Sequence, residues 1–382
     1  MIYLNNAATS YPKPDVVKKV HAEFLDKAPG SLYRSSGEHE DVFGECRKNL
    51  AALLGISDSK RIFFTSGATD SFNFLLSGLG LSGKKIITTA TEHNCVLRPL
   101  YNMKKLADCS VEIIPCDEYG FINPEDLKAA ITPDTAAVIV NHCSNVTGAV
   151  QDIETMRRFA HSVGALFIVD ASQSSGCVPV YTDKWQVDAL VFTGHKSLFG
   201  VQGTGGFYLK DSISLEAFRF GGTGTDGRRL VYESSAPYEV GTQNEAGIAA
   251  LSAGVNYILD EGLVSIIRKE QELYLILLEG LSKLPLIKLY SGALENNLEK
   301  DFSPVISFTI DGINPSDIGY ILFHSYNITV RTGFHCCPLI HDYIGTSKFG
   351  TVRCSLSFFN DLKDIKAFLK AITEIHQSLK ES

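Results

Sequence analysis

The sequence predicts an α/β protein: a large domain built on a mostly parallel sheet with helices on both faces, followed by a smaller C-terminal α/β domain. Three observations point there. Between about residues 60 and 210, seven short runs rich in Val, Ile and Phe recur between helical stretches: RIFFT, KKIITTA, VEIIPC, TAAVIVNHCS, ALFIVDAS, DALVFTGHK and GGFYLK. Their hydrophobicity is continuous rather than alternating, as expected of strands buried on both faces. Polar and reactive residues gather just after several of these runs, at 65–69, 91–94, 144–145, 170–173 and 193–196. In open α/β sheets ligands sit beyond the carboxyl ends of the strands, so the clustering predicts one shared site.

After Gly241 the pattern changes to long amphipathic stretches at 244–261 and 264–284. SPVISFTI, NITVRTG and GTVRCSLSFF then read as strands, and DLKDIKAFLKAITEIHQSL as a closing helix with apolar residues at i, i+3, i+4 and i+7. The expected organisation is an N-terminal segment at 1–15 that packs back near the site, a large domain at 16–255 and a small domain at 256–382. A chain of 382 residues has room for both.

Composition narrows the function classes. Hydrophobic residues make up 45% and charged residues 20%, the balance of a folded globular protein. The net charge of −8 lacks the basic excess that nucleic acid or anionic lipid requires, so an anionic ligand must meet a local pocket. The apolar runs are far shorter than the ~18 residues of a membrane span, and a cytoplasmic protein with no membrane partner is expected. Nine scattered cysteines form neither a disulfide framework nor a CxxC zinc pair. Most read as buried small hydrophobes; Cys336 and Cys337 stand apart, in RTGFHCCPL, a stretch that reads as loop. Adjacent cysteines fit one tetrahedral ion poorly, and with His335 and His341 they match no standard zinc spacing, so no metal is expected.

The chemistry-bearing residues begin with Lys196, in TGHK after the strand DALVF. A lysine at a strand end is ordinarily solvated, but Asp170 in VDASQSSG ends another strand. A carboxylate beside a pyridinium nitrogen, with a lysine for the covalent link, is what pyridoxal 5′-phosphate (PLP) needs. FFTSGATDSFNFLL puts a small-residue turn at the start of a helix, where free N–H groups and the helix dipole suit a phosphate. An ordinary helix capped by Thr65 or Ser66 is the competing reading.

Together VDASQSSG, TGHK and TEHN resemble the motifs of class V aminotransferases among fold type I PLP enzymes, and RTGFHCCPL with GTVRCSLSFFN resembles the group II cysteine desulfurase and selenocysteine lyase branch. The likeness runs in order from YLNNAATSYPKP to the last strand. It implies that Lys196 holds PLP covalently, that Asp170 pairs with the ring nitrogen and Gln173 lies near the phenolic oxygen. His93 would stack on the ring, Asn145 touch its polar edge and the substrate, and Ala68, Thr69, Thr193 and His195 hold the phosphate. Arg353 would take the substrate carboxylate, where a surface strand arginine in an ion pair is the default reading. Cys336 aligns with the nucleophilic cysteine, while His335 is either its helper or a loop histidine without catalytic duty. Phe334 stands where the branch often has a second histidine. GGTGTDGRR reads as a flexible loop, and the resemblance implies that its Thr223 reaches the neighbouring subunit's cofactor phosphate in a homodimer.

The implied activity is conversion of L-cysteine to L-alanine, with a persulfide on Cys336 passed to an acceptor protein or small thiol for iron–sulfur cluster, cofactor or thionucleoside synthesis. The alternatives are a selenocysteine lyase acting on L-selenocysteine; another class V lyase, aminotransferase or epimerase; and a non-catalytic sulfur-carrier scaffold. Retention of Lys196, Asp170, Gln173, His93 and Arg353 argues against the last.

Overall fold

The computed structural model describes residues 1–26, 41–216, 219–222, 228, 230, 238–294 and 302–381. Strand β1 (Ile2–Tyr3) leads, past the site, to α1 (Asp15–Asp26) and α2 (Val42–Leu54). The wound core follows as β2 (Ile62–Thr65), α3 (Ala68–Gly78), β3 (Lys85–Thr89), α4 (Asn94–Leu106) and β4 (Ser110–Ile114). It continues with α5 (Pro124–Ala130), β5 (Thr135–Asn141), α6 (Ile153–His161), β6 (Leu166–Asp170), α7 (Thr182–Trp185), β7 (Ala189–Thr193) and β8 (Gly205–Leu209). Two long helices, α8 (Glu245–Glu261) and α9 (Leu263–Ser282), lead to β9 (Ile287–Tyr290), β10 (Val305–Ile310), α10 (Pro315–Tyr326), β11 (Ile328–Thr329) and β12 (Arg331–Gly333). Helix α11 (Ile340–Tyr343), β13 (Thr351–Ser355) and α12 (Leu362–Glu381) complete the order.

The seven apolar runs become the seven strands of one sheet, ordered β2-β8-β7-β6-β5-β3-β4. Only β8 runs antiparallel to its neighbours, β2 and β7. Strand β5 shows why the runs do not alternate: Val138 and Val140 enter the core under α2 and α8, while Ala137 and Ile139 enter the one under α3 and α4. Both faces are covered, so both parities are apolar.

Helix boundaries follow local chemistry. Asp41 caps α2 by accepting from Gly44 N, and Gly55 closes the helix in the left-handed region at φ 65°. Asn244 caps α8 through Gly247 N, and at Gly262 (φ 79°) the chain turns 82° into α9. Val255 lies inside α8, whose Ile248, Leu251 and Ile258 belong to the large core, whereas Leu273, Tyr274 and Leu277 of α9 belong to the second. That second core packs under an antiparallel sheet ordered β12-β13-β10-β9. Among the described residues no single helix is long and apolar enough to cross a membrane.

The C-terminal strand expectations need correction. NITVRTG is not one strand: β11 pairs with β1 in parallel, then the chain changes partner at Val330 and β12 pairs with β13. GTVRCSLSFF is strand only as far as Ser355, after which Ser357 N turns to the Asn360 side chain. Strand β9, short and half-exposed, carries too little apolar signal to be seen in the sequence.

Candidate active site

The carboxyl ends of β2, β5, β6 and β7 surround a cavity of about 400 Å³, walled by residues from every polar cluster named above. Asp170 ends β6, 1% exposed, and its Oδ1 accepts from Ser172 N at 2.9 Å. Lys196 follows β7, half-buried, and no hydrogen bond holds its amine among the described residues. Burial draws that amine below its ordinary range, against the opposing pull of Asp170. An amine so placed is available as a nucleophile.

The turn before α3 does not adopt the capped-helix reading. The N-cap is Gly67, at φ 144°, with no side-chain cap at all, and Thr65 and Ser66 lie outside the helix. The first turn therefore offers its N–H groups to the cavity, where Ala68 and Thr69 form part of the wall. Gly205, opening β8, lies against this turn: a Cβ there would come within 2.6 Å of Gly67 Cα. Thr193 and His195 line the same side. Thr9, Ser10 and Lys13 fix this corner by donating to the His195 carbonyl, Lys13 Nζ at 2.8 Å.

His93 caps α4, its Nδ1 accepting from Cys95 N at 3.0 Å, so the neutral ring carries its proton on Nε2. Burial, with Lys196 and Arg331 nearby, lowers its pKa to about 3. The preceding Glu92 is fully buried and accepts from Thr89 Oγ1 and Asn141 N; burial and neighbouring Asp170 hold its carboxyl well above the usual range. Gln173 donates from Nε2 to Ala7 O at 2.9 Å, joining the N-terminal segment to the wall.

The cysteine segment is less of a loop than its sequence implies. Residues 331–333 are strand, His335 is 1% exposed and Cys337 is 0% exposed; Cys336 is half-buried. His335 and Cys336 adopt left-handed φ of 52° and 60°, unusual for residues with a side chain, and surrounding contacts impose the turn. Asn145 Nδ2 donates to His335 O at 2.7 Å and Asn94 N to Cys336 O at 2.7 Å. Cys337 donates its thiol to Thr91 O at 3.2 Å, and burial pushes that thiol well above its ordinary range. It is an anchor for the turn, not a second exposed nucleophile. His335 turns its Nε2 to Thr351 Oγ1, and His341 its Nδ1 to Thr346 Oγ1.

Arg331 is the residue that sequence reasoning missed. It lines the cavity and donates from Nη2 to Cys336 Sγ at 2.8 Å. It also stands directly across from Arg353 in the β12–β13 register. Like charges directly opposite on a sheet repel. Arg353 is not the surface ion-paired arginine of the default reading: it is 0% exposed and among the described residues donates only to Asn145 O (2.8 Å) and Asn5 Oδ1 (3.1 Å). Burial lowers its pKa to about 9, with Arg331 adding to the effect. Two guanidinium groups with no carboxylate between them among the described residues have the chemistry to hold an anion. The only sequence signal for Arg331 was its place five residues before Cys336, which carries no weight until the register is known.

The expected residues thus divide into groups. Ala68, Thr69, His93, Asn145, Asp170, Gln173, Thr193, His195 and Lys196 share the cavity wall. Arg353 sits behind Asn145, and Cys336 opens into an adjoining cavity of about 500 Å³ that shares Thr69, His93 and Cys95 with the first. Thr223 lies outside the described residues.

Fold and site together define an α/β enzyme whose cavity, at the carboxyl ends of the sheet strands, is walled by Lys196 and Asp170. The chain belongs to the class-V aminotransferase family, whose pattern matches residues 2–368. A probable cysteine desulfurase of Pyrococcus abyssi is 31% identical over 395 residues, covering 100% of this chain and 96% of the relative. The apo structure of a cysteine desulfurase from Thermococcus onnurineus superposes with a TM-score of 0.88 at 32% identity, covering 99% of this chain and 95% of that one. The crystal structure of the Escherichia coli cysteine desulfurase CsdA, an S-sulfonic acid form, gives 0.87 at 26% identity, covering 99% and 95%.

Enzymes of this family typically depend on PLP, and the residues present here fit such a group. Asn141 Oδ1, Asn145 Oδ1, Ser172 Oγ and His195 Nδ1 are buried without a partner among the described residues, and all four residues line the cavity. Buried polar atoms are rarely left unpaired, so these await a polar ligand. The uncapped first turn of α3 suits its phosphate.

Proposed function

We propose that the protein is a PLP-dependent cysteine desulfurase that converts L-cysteine to L-alanine and retains the sulfur as a persulfide on Cys336. Lys196 binds the cofactor covalently, Asp170 serves its ring nitrogen, and Gln173 its phenolic oxygen. His93 covers the ring, and Ala68, Thr69, Thr193 and His195 take the phosphate. When bound, PLP supplies the electron sink for the pair released as the substrate's bonds break. The observation that carries the reading is Arg331, which lines the Lys196 cavity, donates to Cys336 Sγ and stands opposite the buried Arg353. Arg353, with Asn145, holds the substrate carboxylate. Arg331 places a charged donor on the Cys336 sulfur.

In the transfer step the Cys336 thiolate attacks the sulfur of the substrate. A sulfur–sulfur bond forms as the carbon–sulfur bond breaks, and the carbon keeps the pair and gains a proton. Per turnover, cysteine and the enzyme thiol become alanine and the enzyme persulfide. His93, neutral with its proton on Nε2, borders both cavities and is placed to hold or move a proton between them. A protein or small thiol then accepts the sulfur, and the same reading carries the expectation of a cytoplasmic homodimer.

The test is a spectrum of the purified protein before and after L-cysteine, with alanine and sulfide assayed under a reducing thiol. A cofactor band that shifts while both products appear is expected. Cys336→Ala should keep the band and lose sulfide release; unchanged cysteine turnover in that variant overturns the assignment.

A further inference from the structure

The 500 Å³ cavity into which Cys336 opens runs between α3 and α4 and has no role in the chemistry so far. Its walls include Arg98, Asn73, Asn94, Asn102 and Leu76, and among the described residues no carboxylate lines it. Arg98 is exposed and makes no ion pair among the described residues. His93, on the shared wall, is held neutral, so it neither adds to nor cancels the positive charge of Arg98. A cavity of this size takes a small molecule. It brings Arg98 and Cys336 to the walls of one cavity.

We propose that this cavity binds a small carboxylate-bearing thiol, held by Arg98, that takes the sulfur from Cys336. The proposal rests on the desulfurase reading above and names its acceptor class. The acceptor thiolate attacks the terminal sulfur of the Cys336 persulfide, forming an acceptor persulfide and releasing Cys336 as thiolate. A second acceptor thiolate displaces hydrosulfide from that persulfide and leaves the acceptor disulfide. The two thiolates thus supply the two electrons that reduce the sulfur.

The holoenzyme with L-cysteine and limiting 3-mercaptopropionate, 2-mercaptoethanol or cysteamine tests it, reading sulfide release per thiolate and alanine in parallel. The anionic thiol should act faster than the neutral one by up to about fivefold, the most an exposed ion pair is worth, and cysteamine slowest. Arg98→Gln should bring 3-mercaptopropionate and 2-mercaptoethanol to similar rates, while Arg98→Lys keeps the preference. Equal rates for all three thiols in the wild type, a preference that survives Arg98→Gln, or a variant that slows all three alike each overturns the inference while alanine formation leaves the desulfurase reading standing. Absence of alanine with every thiol removes both.

Discussion

Arg353 shows how a residue's chemistry depends on what the fold withholds from it. Its guanidinium is buried across from Arg331 with two neutral acceptors and no acid partner among the described residues. Such a group destabilises the empty protein and favours any anion that enters. Arg353→Gln should therefore raise the KM for L-cysteine by about 10- to 100-fold, the worth of a hydrogen-bonded charge. Stability should change by no more than about 1 kcal/mol, because two lost hydrogen bonds are offset by relief of a buried, repelled charge. Alanine formation at varied cysteine and a thermal melt check the two arms; a large loss of stability with unchanged KM refutes the anion-site assignment. The motifs made Arg353 readable in the sequence. Arg331 was not, since its contact with Cys336 depends on a strand register and a left-handed turn that periodicity does not encode.

Among elements, β8 approaches the start of α3, the proposed phosphate end of the site, backbone to backbone. Ala at position 205 would place its Cβ 2.6 Å from Gly67 Cα and 2.9 Å from Phe192 O, both backbone, so one segment must move. Gly205→Ala is expected to cost about 1–3 kcal/mol and to loosen the cofactor, read as a lower Tm and faster loss of the cofactor band on dialysis. Full retention of cofactor in a destabilised variant argues against a phosphate role for this turn. The strands themselves were legible because burial on both faces leaves a continuous apolar run, as in ALVFT of β7. Short or half-exposed pieces such as β1 and β9 were not, and neither was the break of NITVRTG into β11 and β12, since their pairing is set by partners distant in sequence. The cap of α3 escaped for a related reason: Thr65 and Ser66 have the right chemistry for a cap, but the tertiary fit places Gly67 there.

At the scale of the whole molecule, pH dependence follows from imidazoles held neutral inside the fold. His93 and His142 are lowered to about 3 and His195 to about 4, with His335 and His341 shifted the same way, by burial first in every case. Between these values and the ordinary 6.5 the unfolded chain binds more protons, so stability falls as pH drops below about 6.5. Glu92 is raised and Glu270 is raised to about 8, so their contribution is full below about 4.5 and fades as pH rises toward those folded values. The histidines outnumber these carboxyls, and the expected outcome is a Tm of the cofactor-free protein that declines from pH 6.5 to 5; a flat or rising Tm refutes it. The distribution of sulfur offers a practical dividend of the same packing. Eight of the nine cysteines are buried and free, and Cys336 alone is half-buried. A thiol reagent should therefore titrate about one group per intact chain, and each molecule that opens reveals the other eight, giving the protein a built-in gauge of its own integrity.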